Sequence, residues 1–316
     1  LQSAYRTHDT RDWKLHKAKD DIQNHFNSDL FCEYTFKPFW KKYTFYTGTT
    51  RGFMGTPAKS VSLQFFKKNN IGMVLSKRYY DKEFTNCFVT ENVTDRNFLG
   101  FQSYIFPLRL YKQNGDAFNG NGKHKNQVSN INPKIEALLE NAYNKKGITE
   151  PIFYYIYAIL HSNTYRTSFP ELLKTNYPKI PFTGSWSDFQ NLSDLGKELV
   201  DLHLLNSEKL NKPQVKFQGK GEGRIDRPTF IEKENVIKIN DNQYFENINK
   251  KLWEYKIGKN QILKQWLRRK EKIEWKDAVE FCRIATAIYE TFKTIKLIDT
   301  IYQEILNHLI EKNTDL

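Results

Sequence analysis

The chain has 316 residues, long enough for one large domain or two ordinary ones with a buried core. Aromatic residues make up 15% of it, which excludes a disordered chain, because disordered segments are poor in aromatics. Lys and Arg number 49 against 36 Asp and Glu, and the net charge of +13 favours nucleic acid or another anionic partner, although a Lys-rich host proteome would give the same balance.

The three cysteines, Cys32, Cys87 and Cys282, are too widely spaced for a zinc site or a disulfide framework. We expect them to be small core residues of a reduced, cytoplasmic protein. No apolar run reaches the roughly 20 residues of a membrane helix, and the sequence has no signal peptide. Because the chain begins with Leu1 and not with Met, we expect it to be a piece of a longer polypeptide.

The first half is typical of β structure, after a short helix predicted over Asp12–Asn24. Pro107 lies inside a strand-like run and indicates an edge strand or a bulge, because proline cannot donate to a ladder. The polar, Gly- and Asn-rich stretch Asn114–Pro133 predicts an exposed loop or linker. Five β-branched and aromatic runs predict strands: Tyr43–Thr47, Val61–Phe66, Ile71–Ser76, Cys87–Val93 and Ser103–Tyr111.

The second half changes to helical spacing. Ser193 is a predicted N-cap for a helix that runs to Leu205, and a hairpin is predicted through Val236–Ile239. The other predicted helices are Pro133–Tyr143, Ile152–His161, Tyr165–Lys174, Tyr244–Tyr255, Asn260–Arg269 and Lys276–Lys312. The sequence therefore predicts an α+β fold, with a β-rich subdomain over 1–130. A mainly helical subdomain over 131–316 follows, with a β-hairpin insertion near 212–240 and a long C-terminal helix.

The last predicted helix carries an apolar seam with coiled-coil-like spacing over four heptads, in which Thr291 is the one polar member. The seam consists of Phe281, Ile284, Ile288, Thr291, Ile295, Ile298, Tyr302, Ile305 and Leu309. It predicts lengthwise packing against another helix, either within the same domain or on a partner. A helical partner-binding module is therefore one alternative function.

The sequence contains no HExxH, GxSxG, GxxxxGK[ST] or CxxC motif. A second alternative is a metal-dependent nuclease of the D…ExK type, with Asp241, Glu254 and Lys256 around Mg²⁺, although this pattern arises easily in a Lys-rich chain. His161 and His203 lie on apolar helical faces, and we expect them to be hydrogen-bonded structural residues.

Basic residues recur beside Gly, Asn and aromatic residues, a pattern that favours nucleic-acid binding. The Gly-rich stretch around Gly221 follows no clear strand and opens no helix, which predicts a flexible cationic loop near phosphates and not a dinucleotide site. The candidate DNA-binding residues are Lys42, Arg51, Lys59, Lys77, Arg78, Lys123, Lys125, Lys220, Arg224 and Arg227.

Five motifs in order, spanning about residues 30 to 300, resemble one known family. They are Phe36–Lys42, Phe106–Tyr111, the hub segment Tyr154–Pro181, Leu195–His203 and Trp253–Leu267. The family is the C-terminal target recognition region of single-chain restriction–modification enzymes of the type ISP and type IIG kinds. Lys37, Trp40 and Lys42 depart from its Tyr-Arg-Pro-Phe-Asp-x-Arg element, where Arg, Asp and Arg are usual.

The resemblance implies sequence-specific recognition of double-stranded DNA, which this region would position for upstream methyltransferase and nuclease domains. The methyltransferase's Asn-Pro-Pro-Tyr loop and the nuclease and helicase motifs are missing from the sequence. We therefore expect this region to be non-catalytic and without a cofactor. The parent would be a restriction endonuclease and adenine-specific DNA methyltransferase of phage defence. It would use S-adenosylmethionine, Mg²⁺ and, with a helicase, ATP. The expected partners are DNA and the methyltransferase domain of the same polypeptide, in the cytoplasm and not at a membrane.

Overall fold

The structure is a computed structural model that describes residues 8–77, 83–111 and 127–310. Its helices are α1 Leu15–His25, α2 Lys59–Ser62, α3 Pro133–Tyr143, α4 Thr149–His161, α5 Asn163–Ser168, α6 Pro170–Thr175, α7 Trp186–His203, α8 Lys250–Trp253, α9 Ile262–Leu267 and α10 Trp275–Ile305. None of these helices has the length and apolar composition that crossing a membrane requires.

The strands form several small sheets. They are β1 Phe31–Lys37, β2 Trp40–Phe45, β3 Gly72–Leu75, β4 Cys87–Thr90, β5 Val93–Thr94, β6 Tyr104–Pro107, β7 Arg109–Tyr111, β8 Gln127–Ser129, β9 Lys216–Gln218, β10 Thr229–Ile231, β11 Val236–Lys238, β12 Tyr244–Glu246, β13 Lys256–Ile257 and β14 Asn260–Gln261. Small sheets dominate the first half and helices the second, which confirms the α+β prediction and the long C-terminal helix.

The β1–β2 hairpin is antiparallel from the pair Phe31–Phe45 to the pair Lys37–Trp40, and β5 lies parallel to β1. A separate sheet has the order β4-β3-β6, so Pro107 ends an edge strand, as predicted. In the second half, β9 to β12 form one antiparallel sheet of order β10-β11-β12-β9. The predicted hairpin is therefore part of a four-stranded sheet.

Two strand and helix predictions are wrong, both because tertiary packing decides short apolar runs. Val61–Phe66 is not a strand: α2 and the turns after it place the consecutive side chains of Phe65 and Phe66 in the same core, whereas consecutive side chains of a strand point to opposite faces. Tyr244–Tyr255 is not one helix, because it begins with β12, whose buried Phe245 packs on Phe281 at 4.0 Å between ring centroids.

The N-cap prediction at Ser193 is also wrong. Helix α7 begins earlier, where the side chain of Ser185 accepts a hydrogen bond from the N–H of Asp188. Ser193 is buried in mid-helix, and its hydroxyl lies 2.7 Å from the Phe189 carbonyl oxygen. The predicted helix after the hub break is two helices, because Pro170 ends α5 and starts α6.

Two of the hydrophobic cores combine residues from both halves of the chain. In the first, Met73 and Leu108 of the β-rich half pack with the buried residues of α4 and α7. In the second, Val74 and Phe88 pack with the four-stranded sheet, α9 and the first half of α10. The division into two subdomains near residue 130 stays a prediction, because residues from both sides of it pack into the same two cores.

The seam of α10 packs within its own chain, against α4, α5 and α7. Its members from Phe281 to Ile305 are buried, whereas Leu309 lies beyond the end of the helix and is 40% exposed. The helix is therefore shorter than predicted, and its seam is not available as a partner surface.

A buried polar network explains the one polar residue of that seam. The hydroxyl of Thr291 donates to the Ala287 carbonyl oxygen, and it lies 3.1 Å from Nε2 of His203. His203 Nδ1 lies 2.6 Å from the hydroxyl of Tyr157. These contacts fit an imidazole that donates from Nε2 and accepts at Nδ1. His161 contacts the Tyr157 carbonyl oxygen at 2.8 Å, so both histidines are structural, as predicted.

The network predicts loss of stability in mild acid. Burial, with a contribution from Arg166, lowers the pKa of His203 to about 3, against about 6.5 in an unfolded chain. Because the folded pKa is the lower one, this stability is complete above about pH 6.5 and is lost as the pH falls. At pH 5, the need to keep His203 neutral in the folded chain should lower the free energy of unfolding by about 2 kcal/mol. The buried His161, whose pKa is also lowered, should reduce it further.

Urea unfolding at pH 7 and pH 5 measures the difference. His203→Gln should be less stable at pH 7 but should flatten the pH dependence, whereas exposed His16→Gln should keep that of the parent chain. Equal pH dependence in the parent and His203→Gln would contradict the assignment.

Candidate nucleic-acid interface

The tip of the β1–β2 hairpin places cations around one tryptophan ring. The Nζ of Lys42 lies 4.4 Å from the centroid of the Trp40 ring, and the Cζ of Arg269 lies 3.6 Å from it. Phe36 packs edge-on to Trp40 at 4.8 Å, and Lys37 donates to the Asn97 carbonyl oxygen. Cation–π contacts therefore hold the hairpin tip against the segment that follows α9.

That segment, 268–274, carries four cations against the two carboxylates of Glu271 and Glu274. Arg268 and Lys272 are exposed, whereas Arg269 is half-buried and donates to the side-chain oxygen of Gln265 at 2.8 Å. Burial lowers the pKa of Arg269 to about 10, so its guanidinium stays charged at neutral pH. Lys270 is the exception, because it pairs with Asp277 at 2.7 Å.

The Gly-rich loop lies against the same segment. The N–H of Ile273 donates to the Gly223 carbonyl oxygen at 2.7 Å, and the N–H of Ile225 donates to the Glu271 carbonyl oxygen at 2.9 Å. Gly223 has a φ of 77°, and an added Cβ would lie 2.0 Å from the Ile273 carbonyl oxygen. These bonds anchor the loop to the segment. The prediction of a flexible loop is therefore wrong. The loop follows β9 and leads to β10, so it lacks the helix of a dinucleotide site.

These three segments form one contiguous region, which we call the cationic surface. Its cations are Lys37, Lys42, Lys220, Arg224, Arg227, Arg268, Arg269 and Lys272. Over residues 8–77, 83–111 and 127–310, no carboxylate forms an ion pair with Lys42, Arg268 or Lys272. Arg224 forms a single long ion pair, 3.6 Å to Asp226, and its side chain is 83% exposed. The charged groups of Arg224, Arg268 and Lys272 are therefore exposed and can meet an anion, although the exposed carboxylates of Glu222 and Glu271 lie in the same segments.

Arg51 and Lys59 lie elsewhere. Lys59 begins α2, whose Val61 packs in the same core as Phe45. The loop that carries Arg51 packs at the far end of the hairpin, where Phe53 contacts Phe45. The β2 strand rises about 17 Å between Trp40 and Phe45, so this loop is remote from the Trp40 ring.

The loop is held by buried Asp21, which accepts from the N–H of Phe53 at 2.8 Å. Burial raises the pKa of Asp21, but this bond and those from Thr47 and Thr49 outweigh it and leave the pKa lowered.

The other predicted residues stay untested. Lys77 is exposed just after β3. Arg78, Lys123 and Lys125 lie outside the residues that the structure describes.

Sequence reasoning did not select Lys37, Arg268, Arg269 and Lys272, which the structure places on the cationic surface. Four cations in the five residues 268–272, just after an apolar helix, were the signal that could have found three of them.

The nuclease alternative finds no support in the geometry. Asp241 lies in the turn between β11 and β12, Glu254 ends α8, and Lys256 is on β13. In the described part of the chain, no three His, Cys, Asp or Glu side chains come together in a way that could hold a metal ion.

The family profile of the Type ISP C-terminal specificity domain matches residues 2–298. The chain belongs to this family. A comparison with curated proteins found no match.

Solved structures share the fold of this specificity domain. They include a nuclease-deletion mutant of the Type ISP restriction-modification enzyme LlaGI in complex with a DNA substrate mimic (19% identity, TM-score 0.61, 91% of this chain). A second is the ATP-dependent Type ISP enzyme LlaBIII bound to DNA (21%, 0.65, 93%), and a third is the DrdV–DNA complex (20%, 0.66, 85%). This domain spans 26%, 20% and 28% of those chains, respectively.

The contacts of the Trp40 ring with Lys42 and Arg269, which we call the clamp, can be tested with Trp40→Ala. The substitution removes two cation–π contacts and one aromatic pair, so the free energy of unfolding should fall by about 1–3 kcal/mol. Tyr43→Ala is the matched control, because Tyr43 is 78% exposed on the same strand and should change stability by less than about 0.5 kcal/mol. Equal urea midpoints for the two variants would show that the clamp contributes nothing.

Proposed function

We propose that this specificity domain recognises double-stranded DNA in a sequence-specific manner and that the duplex lies on the cationic surface. The observation that carries the proposal is the convergence of three segments, distant in sequence, into one region of largely unpaired cations. Duplex DNA is a dense array of phosphates, and cations that replace its counterions supply most of the sequence-independent affinity. The DNA complexes of the LlaGI, LlaBIII and DrdV enzymes, which share the fold, support the proposal.

The segments suit different parts of the duplex. The β1–β2 hairpin is a two-stranded ribbon, which the roughly 12 Å wide major groove admits. Its tip is packed into the second core through Phe39, so the exposed part of β2 that carries Lys42 is the part suited to reach base edges. Arg268, Lys272 and Arg224 extend into solvent from anchored loops, which suits phosphate contacts that set the register. The clamp at Trp40 then fixes the base-reading part relative to the phosphate-binding part.

At the level of the parent polypeptide, we propose that the domain positions DNA for a methyltransferase domain of the same chain. S-adenosylmethionine, Mg²⁺ and ATP would then bind to other domains, and this region would hold no cofactor of its own. The setting would be the cytoplasm. The family assignment supports this organisation, because a specificity domain acts on behalf of catalytic domains.

A salt titration of duplex binding tests the phosphate contacts. Arg268→Gln with Lys272→Gln should weaken binding to all duplexes and should reduce the slope of log K against log salt by about 2, one for each lost contact. Lys134→Gln is the control, since Lys134 is exposed on α3, and α3 packs into the core formed with α4 and α7. An unchanged slope in the double variant would place the duplex elsewhere.

Selection from a random duplex pool tests sequence specificity. The domain should enrich one motif, and Trp40→Ala should bind that motif more weakly while it keeps most of its affinity for unrelated duplexes. Enrichment of no motif, with strong general binding, would reduce the function to non-specific DNA binding.

A further inference from the structure

An apolar groove of about 690 Å³ lies beside the first turns of α10. One wall is the helix itself, and the other is formed by β9 and the residues just before it. The groove runs along α10 from Trp275 to Arg283, which is about 12 Å or a little over two helical turns. None of the contacts described for the cationic surface involves it.

The helical wall presents apolar side chains at the spacing of a single face. Trp275 is 77% exposed and Val279 is 39% exposed, four residues apart, with Cys282 three residues further on. The facing wall contributes Phe217 and Val215. Burial raises the pKa of the Cys282 thiol to about 12, consistent with an apolar floor. Trp275 and Val279 are continuous with the apolar walls of the groove, and contiguous exposed apolar patches mark interaction sites on soluble proteins.

The rim of the groove has a single sign of charge. Lys212, Lys216 and Arg283 line it, and no Asp or Glu does. Arg283 donates one guanidinium N–H to the Leu205 carbonyl oxygen at 2.8 Å, which holds the side chain at the rim without neutralising it. An occupant of this groove would therefore need both apolar side chains and carboxylates.

We propose that the groove binds an acidic amphipathic protein helix. Such a helix would place its apolar face between Trp275 and Phe217 and its carboxylates against Lys212 and Lys216. A helix-in-groove contact needs apolar anchors over about two turns, which is the length of this groove. DNA fits it less well, because the apolar walls offer few hydrogen-bonding groups to a base edge. The proposal goes beyond DNA recognition and does not depend on it.

Photo-crosslinking tests the proposal in the protein expressed in full from its own gene. A benzophenone amino acid replaces Val279, cells are irradiated, and the crosslinked peptide is identified by mass spectrometry. The expected product joins the probe at position 279 to a protein segment that has net negative charge and helical apolar spacing. The same probe at Leu297, which is 56% exposed on α10, should not capture that segment.

Charge reversal supplies the second arm. Lys212→Glu with Lys216→Glu should lower the yield of that crosslink at least tenfold. The control pair Lys134→Glu with Lys233→Glu, at exposed positions elsewhere, should leave it unchanged. Crosslinking to DNA, to the same groove of a second copy or to no protein would overturn the proposal. So would capture of a basic segment, or a yield insensitive to charge reversal. The salt dependence of DNA binding in Arg268→Gln with Lys272→Gln is measured without this crosslink, so the two proposals fail separately.

Discussion

The burial of the α10 seam from Phe281 to Ile305 is the constraint on which the rest of the structure depends. Its first half packs under the four-stranded sheet, and its second half packs against α4, α5 and α7. Thr291, midway, is hydrogen-bonded to His203 and so fixes the register of the helix on α7. Because the segment 268–274 leads directly into α10, the position of Arg269 and Lys272 follows from that packing. A surface for an anionic partner is thus positioned by a helix whose apolar seam is buried.

The hub segment is better explained as structure than as a DNA contact. The hydroxyls of Tyr155 and Tyr165 donate to carbonyl oxygens of the Pro-Lys-Ile-Pro exit, at Pro181 and Lys179, both at 2.8 Å. Arg166 donates to the Leu160 carbonyl oxygen at the helix break. These bonds account for the aromatic and basic spacing of the motif. At Phe36–Lys42, the Trp40 ring is contacted by the cationic side chains of Lys42 and Arg269.

Much of the fold could be predicted from sequence, because long periodic segments such as Pro133–Tyr143 and the α10 seam have no competing interpretation. The failures fall on short apolar runs. Val61–Phe66 and Tyr244–Tyr255 fit the apolar spacing of a helix as well as that of a strand, and only their neighbours in space decide between the two. For the site, basic residues could be selected by type, as with Lys42 and Arg224. Their convergence depends on the contact between Trp40 and Arg269, and no local pattern in a single sequence encodes a contact between such distant positions.

The central claim is that one contiguous surface, built from three distant segments, binds the duplex. Acetylation of lysines with and without DNA, followed by mass spectrometry, tests it most directly. The account predicts that Lys42, Lys220 and Lys272 become protected together, in proportion to bound duplex, while Lys134 reacts equally in both samples. Protection of Lys59 with continued reactivity of Lys272 would place the DNA at the opposite end of the hairpin and would contradict the account.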